Sequence, residues 1–278
     1  MRARPHEATR HEAEQLWPAV RAERLFETSE QFAAYRDAEP WRVRVTERGE
    51  AAVLGMWRSD EDVLAMRGVW CSARHVADFV ADARHIARER GLARVLSPLL
   101  PLMLLDPYLR EGLRICQRVV AIQGHPRGVL HADPPLGVTL QPGREGDLAA
   151  LVAIDRESFD AFWVYGEAEL AEYFAAERLT VAQTGEGQLI GYTLATASGG
   201  AATLGRLAVA RSARRHGVAR ALVADVARWA DAVGAETISL CTQEENDAAR
   251  RLYEAAGFAE LQDRYGLAIG NADERSGA

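Results

Sequence analysis

Apolar and polar positions fall into short runs along the chain, and the runs switch repeatedly between two periods. A period of two marks a half-buried strand, and a period near 3.6 marks an amphipathic helix. In the C-terminal half, Val218, Leu222, Val226, Trp229 and Val233 recur at helical spacing, predicting a helix stopped by Gly234. A second helix is predicted over 246–256, stopped by Gly257. Strands are predicted at 138–141, 180–183, 188–197, 202–209, 236–241 and 262–269, with Gly185-Glu186-Gly187 as the turn between the second and third. Helices over 144–157 and 167–176 complete this half, and 271–278 reads as a frayed tail. The N-terminal half follows a similar plan. It predicts a helix through Trp17, a hairpin over 42–46 and 51–57, a strand over 63–71, a helix over 76–90 stopped by Gly91, and a strand over 93–97. Between the halves, Gly124 to Gly137 is rich in Pro and Gly and lacks a period, as a linker would.

Three glycine landmarks suggest that one half is a worn copy of the other. Val53-Leu54-Gly55-Met56-Trp57 matches Leu189-Ile190-Gly191-Tyr192-Thr193; Gly91-Leu92-Ala93-Arg94-Val95 matches Gly234-Ala235-Glu236-Thr237-Ile238; Tyr108-Leu109-Arg110-Glu111-Gly112 matches Tyr253-Glu254-Ala255-Ala256-Gly257. The alternative is two unrelated α/β domains with three chance matches.

The C-terminal half has one stretch with no counterpart. Arg214-Arg215-His216-Gly217-Val218-Ala219-Arg220 lies between a predicted strand and a predicted helix. The first turn of a helix carries unpartnered N–H groups and the positive end of the helix dipole. A glycine there lets phosphate oxygens approach the backbone, and Ala219 keeps the next position open. Arg214, Arg215 and Arg220 can supply charge-assisted bonds, or can face water. In the N-terminal half the strand runs from Val69 through Trp70-Cys71-Ser72 straight toward the helix, without such a turn.

This turn fits the pattern Q/R-x-x-G-x-G/A and resembles the GNAT N-acetyltransferase superfamily. Leu207-x-Val209 before it, and Asn246-x-x-Ala249-x-x-Leu252-Tyr253-x-x-x-Gly257-Phe258 after it, match two further family motifs in the right order. The C-terminal half resembles ribosomal-protein alanine N-acetyltransferase-like members. The resemblance implies an α/β (α+β) fold with two GNAT-like domains, each a mixed, mostly antiparallel sheet flanked by helices. The expected domains are a degenerate copy over 1–126 and a catalytic copy over 137–278. Acetyl-CoA is the implied cosubstrate. Its pyrophosphate is expected at Arg214, Arg215, His216 (through its backbone N–H), Gly217, Val218, Ala219 and Arg220. Its pantetheine arm is expected along Leu207, Ala208 and Val209, with Asn246 and Ala249 beside it.

Tyr253 occupies the family's tyrosine position and is expected to protonate the departing thiolate. Read locally, Asn246 is also a good helix N-cap and Tyr253 is also an ordinary core aromatic. The implied reaction is direct attack by a primary amine, on a small molecule or a protein, in a ternary complex without a metal. Two departures from the family stand out. Cys241, and Gly205 with Arg206, occupy positions where family members carry an acid. Glu244, Glu245 and Asp160 are nearby carboxylates that could serve as base, or could simply be solvated. Phe159, Phe162, Trp163 and Tyr165 cluster in one loop, of which Phe162 and Trp163 are the acceptor-site candidates. With both acids missing, a non-catalytic acetyl-CoA sensor or scaffold is the rival reading.

Composition adds limits. The chain has 278 residues, 48% hydrophobic and 26% charged, as in ordinary globular proteins. A formal charge of −7 argues against nucleic-acid binding. Apolar runs fall short of the ~20 residues that span a bilayer, and the N-terminus lacks a secretory pattern, so the expectation is a cytoplasmic protein, monomeric or homodimeric. Cys71, Cys116 and Cys241 are scattered without metal or disulfide spacing.

Overall fold

The computed structural model describes residues 4–274 apart from 24, 27, 59, 168 and 172–177. The chain forms two compact units, 1–118 with 265–278, and 119–264.

The first unit contains strands β1 (His6–Glu7), β2 (Val43–Val45), β3 (Ala51–Trp57), β4 (Asp60–Trp70), β5 (Arg94–Leu96) and β6 (Leu100–Pro101). Its helices are α1 (Arg10–Ala22), α2 (Ser29–Ala38), α3 (Val76–Glu89) and α4 (Asp106–Arg110). The first two begin with capping boxes, Thr9 with Glu12 and Thr28 with Gln31, which satisfy donors at the helix starts. The sheet order is β1-β2-β3-β4-β5, antiparallel except for the parallel β4–β5 pair. Phe79, Val80, Ala83 and Ala87 of α3 bury one helical stripe against Leu54, Leu64 and Met66 of the sheet.

The second unit contains the end of β7 (Arg114–Gly124), then β8 (Val138–Pro142), β9 (Arg178–Thr184), β10 (Leu189–Ser198), β11 (Ala201–Val209) and β12 (Thr237–Gln243). Its helices include α5 (Leu148–Ser158), α6 (Val218–Ala232) and α7 (Asp247–Ala255). The order is β8-β9-β10-β11-β12-β7, antiparallel except for the parallel β11–β12 pair.

The closing strands differ from expectation. β13 (Ala259–Asn271), expected to close the C-terminal sheet, pairs Ile269–Asn271 with β5 in the first unit. Residues 119–124 of β7 close the second sheet by pairing with β12. The division therefore does not fall at the 126–137 linker. A period-two strand carries its face in its sequence but not its partner, so pattern alone cannot decide which sheet it joins. The helix expected over 167–176 falls largely outside the described residues.

The internal repeat is visible in detail. Thr46 and Glu50 close the β2–β3 turn with the same three hydrogen bonds that Thr184 and Gln188 make between β9 and β10. Gly91 and Gly234, at φ 71° and 77°, end α3 and α6 alike. Both sheets carry a register shift on the long strand, between β3 and β4 and between β10 and β11. Both parallel pairs are short. β4 meets β5 only over 63–65, and β11 meets β12 only over 201–203. Beyond those residues the strands part.

The units differ at the entrance to the helix. In the first, Ser72 leads through a short 3-10 turn (Ala73–His75) into α3 without a glycine. The Glu50 carboxylate sits there instead, 2.7 Å from His75 Nδ1 and accepting from the Ser72 N–H and hydroxyl at 3.1 and 3.2 Å. One of the chain's own anions thus occupies the approach to that helix.

Candidate functional site

The second unit holds a cleft of about 920 Å³ where β11 and β12 part. Leu207, Ala208 and Val209 of β11 form one side. Because β12 pairs with β11 only as far as Thr203, main-chain groups on that edge of 204–209 are left without a strand partner. Asn246, Ala248, Ala249, Arg251 and Leu252 of α7 and its cap form the opposite side. Ser158 and Phe159 close a third side.

The turn 214–220 forms one end. Gly217 is the N-cap of α6 at φ 88° and ψ −5°, a left-handed conformation that favours glycine. A Cβ there would meet only Pro135 Cγ at 3.6 Å, so the space above it is open. Arg215 is also left-handed, at φ 66°. The first helical bond of α6 runs from the Ala221 N–H to the Gly217 carbonyl at 3.1 Å. The N–H groups of Val218, Ala219 and Arg220 precede it and stay free of the helix ladder.

Four arginines line the cleft, at 214, 215, 220 and 251, and the lining contains no Asp or Glu. That is a pronounced local excess on a chain of formal charge −7. The site fits a polyanion with an elongated apolar arm.

The sequence candidates separate here. Leu207, Ala208, Val209, Arg214, Arg215, Gly217, Ala219, Arg220, Asn246 and Ala249 come together around the cleft. The side chains of Val218 and His216 do not line it: Val218 is buried in a core with Ile190 and Leu222, and His216 is exposed, so any part they take falls to their backbone N–H groups. Arg214 turns back, donating to the Val209 carbonyl at 3.0 Å and the Glu157 carbonyl at 3.4 Å. It buttresses the strand end, leaving Arg215 and Arg220 as the cations at the turn. Asn246 is the cap of α7 and lies at the edge of the cleft. Its side chain accepts from the Ala249 N–H at 3.1 Å.

Tyr253 is not among the cleft-lining side chains. It is buried, packed edge-on against Phe258 at 6.0 Å between centroids, while its neighbour Leu252 reaches the cleft. Burial holds its phenol protonated, well above the usual tyrosine range.

Phe162 and Trp163 are also displaced from the cleft. They pack edge-on at 5.3 Å, with Trp163 buried, and Phe159 lines the cleft in their stead. The cause is a buried ion pair that sequence reading missed: Arg206 binds Asp155 and the Trp163 carbonyl, drawing the loop inward. The candidate bases are engaged elsewhere. Asp160 accepts from the Phe162 and Trp163 N–H groups, and Glu244 pairs with Arg264 at 3.5 Å. Glu245 is exposed.

Residues 148–258 match the Acetyltransferase (GNAT) family. The stretch 148–258 of the second unit is thus a GNAT domain. This GNAT unit carries the cleft, and acetyl transfer is the family's general activity. Nothing among curated proteins matches the chain. Solved structures match almost its full length. A GCN5-related N-acetyltransferase from Sphaerobacter thermophilus is 17% identical with a TM-score of 0.65, the alignment covering 99% of this chain and 97% of that one. A tandem GNAT protein from the clavulanic acid biosynthesis pathway is 17% identical with a TM-score of 0.69, covering 98% of each. A GCN5-related glucosamine N-acetyltransferase region of a fungal multi-domain enzyme is 11% identical with a TM-score of 0.70, covering 96% of this chain and 38% of that one. At these identities the likeness is one of fold, and it makes both units GNAT-like. Among the described residues, no group of three His, Cys, Asp or Glu could hold a metal, and no helix is long and apolar enough to cross a membrane.

Proposed function

We propose that the second unit transfers an acetyl group from acetyl-CoA to a primary amine, on a small molecule or a protein, by direct attack in a ternary complex. The observation that carries this reading is the cleft itself: a glycine turn and four arginines at the point where β11 and β12 part. The free N–H groups at the start of α6, with Arg215 and Arg220, take the pyrophosphate. The unpaired edge of Leu207, Ala208 and Val209 takes the pantetheine arm. The amine nitrogen attacks the thioester carbonyl carbon, the C–S bond breaks, the thiolate takes up a proton and the nitrogen loses one. Tyr253, at the family's tyrosine position and one residue from the cleft-lining Leu252, is the proposed proton donor, a role that requires its hydroxyl to reach the cleft when cofactor is bound. Positioning two reactants in one cleft supplies most of the rate. By the same reading the Glu50-filled helix entrance of the first unit takes no cofactor.

The rival is a protein that binds acetyl-CoA without turning it over, and Tyr253 turned into the core is the observation on its side. Calorimetry with acetyl-CoA, followed by free-thiol detection across a panel of primary amines, separates the two. Amine-dependent thiol release supports transfer. Tight binding with no release under any amine supports the rival.

A further inference from the structure

One guanidinium organises the wall of the cleft that begins at Phe159. Arg206 stands on β11 next to the register shift, with only 5% of its surface exposed. Its Nε donates to Asp155 Oδ1 at 2.8 Å and its Nη2 to Asp155 Oδ2 at 2.5 Å, a bidentate pair with the carboxylate fully buried. Nη2 also donates to the Trp163 carbonyl at 2.8 Å. Asp155 in turn accepts from the Tyr165 N–H at 2.8 Å and from the Tyr192 hydroxyl. The guanidinium carbon lies 3.4 Å from the Phe159 ring centroid and 4.1 Å from that of Tyr165. One cation therefore fixes the segment 159–165 at three residues, by a carbonyl and two ring faces, and a fourth bond reaches it through Asp155.

Burying two charges carries a large desolvation cost, which bidentate geometry and further hydrogen bonds offset only in part. Replacing such a pair by apolar residues is often neutral or stabilising, so stability alone is a poor account of it. The placement suggests another. Phe159 begins the pinned segment, and it and the preceding Ser158 line the cleft. Arg206 lies three residues before the end of β11, and the Phe159 ring stacks on its guanidinium, whereas Ser158 reaches the strand end at the Val209 carbonyl.

Resting on the transfer reading above, we infer that Arg206, paired with Asp155, is a positioning residue: it holds Phe159 as the wall against which the acceptor amine is set. The cofactor side of the cleft is built mainly from the turn 214–220 and α7, and the turn meets this wall just before the pinned segment, where Ser158 donates to the Val209 carbonyl and Arg214 to the Glu157 carbonyl. Loss of the pair should therefore affect the acceptor far more than acetyl-CoA.

The test uses the full-length protein with Asp155→Leu and Arg206→Met together, so that no lone charge is left buried, and Arg206→Lys as the conservative variant. Hydrogen exchange is read over 159–166, 211–220 and 247–255. Acetyl-CoA affinity is read by calorimetry, and KM and kcat with the amine that gives the fastest thiol release. In the double variant, exchange over 159–166 should rise at least tenfold while the other two segments keep theirs. The Kd for acetyl-CoA should stay within about threefold, and kcat/KM for the amine should fall roughly 10–100-fold, mainly through KM. Arg206→Lys, which keeps the charge and loses the fork, should fall between. The inference is overturned if exchange over 159–166 is unchanged. It is also overturned if cofactor affinity falls as far as acceptor efficiency, or if the segment loosens and turnover is unaffected. Wild-type protein that binds acetyl-CoA and acetylates no amine counts against the transfer reading, and the exchange arm then decides whether Arg206 pins the wall.

Discussion

Gly217→Glu is the substitution whose effect can be worked through most fully. Gly217 sits at φ 88°, where an L-residue pays roughly 1–2 kcal/mol. The added Cβ meets Pro135 Cγ at 3.6 Å, an ordinary contact, so strain is the whole steric cost at that atom. For a unit of this size 1 kcal/mol lowers Tm by about 2–4 °C, giving a fall of roughly 2–8 °C with the fold intact. The carboxylate then stands at the positive end of α6 where phosphate charge is expected. One pair of unit charges about 5 Å apart, at an effective dielectric near ~20, repels by about 3 kcal/mol. That alone weakens binding more than ~100-fold. Gly217→Ala carries the strain without the charge and serves as the reference. Calorimetry with acetyl-CoA and thermal melts of wild type and the two variants give both quantities. If Gly217→Glu binds within about threefold of Gly217→Ala, at matching melts, the placement of the pyrophosphate is refuted.

Other expected outcomes follow from the same structure. Tyr253→Phe should lower kcat by roughly 10²–10⁴-fold and leave acetyl-CoA affinity nearly unchanged; a wild-type kcat with chemistry limiting removes the proposed role. Burial pushes Glu50 up, but the hydrogen bonds from His75 and Ser72 outweigh it and hold its carboxyl below the usual range. A depressed folded pKa stabilises above the unfolded value and loses that contribution as pH falls. Glu50→Gln should therefore cost about 1–3 kcal/mol in melts near pH 7, with the gap to wild type closing below pH ~4.5, whereas a gap constant with pH contradicts the assignment. Deleting 265–278 removes the strand bonded to β5, and with it the buried side chains of Leu267, Ala268 and Ala272. Near-UV circular dichroism should show loss of the first unit's packing, and an unchanged spectrum would show that this strand is dispensable.

Much of the second unit was legible because its signals are local. Gly217, Gly234 and Gly257 all have positive φ, a conformation that glycine adopts readily, and the α6 stripe is a plain 3.6-residue period. The site was legible where backbone makes it, at the turn and along Leu207 to Val209. It was not legible where side chains from distant elements meet. Arg206 reads as one arginine on a strand until Asp155, Trp163 and Tyr165 are folded around it. The same network explains why Phe159 and not Phe162 or Trp163 reaches the cleft. Tyr253 could be read as catalytic or as core, and one helical step decides which of Leu252 and Tyr253 faces the cleft. Helix α4 went unread because it has too few turns to show a period, α2 because Phe32 is its one buried side chain and gives no apolar stripe, and the exchanged strands carry a face but no address.

The claim that the cleft transfers acetyl groups is tested most directly with acetyl-CoA carrying carbon-13 in the acetyl carbonyl. The protein and the amine panel are mixed and the carbonyl resonance is followed by NMR. The account predicts that the thioester signal is replaced by an amide signal on one class of amine, and that Gly217→Glu abolishes the change. A thioester signal that persists with every amine, while calorimetry shows acetyl-CoA bound, would contradict it.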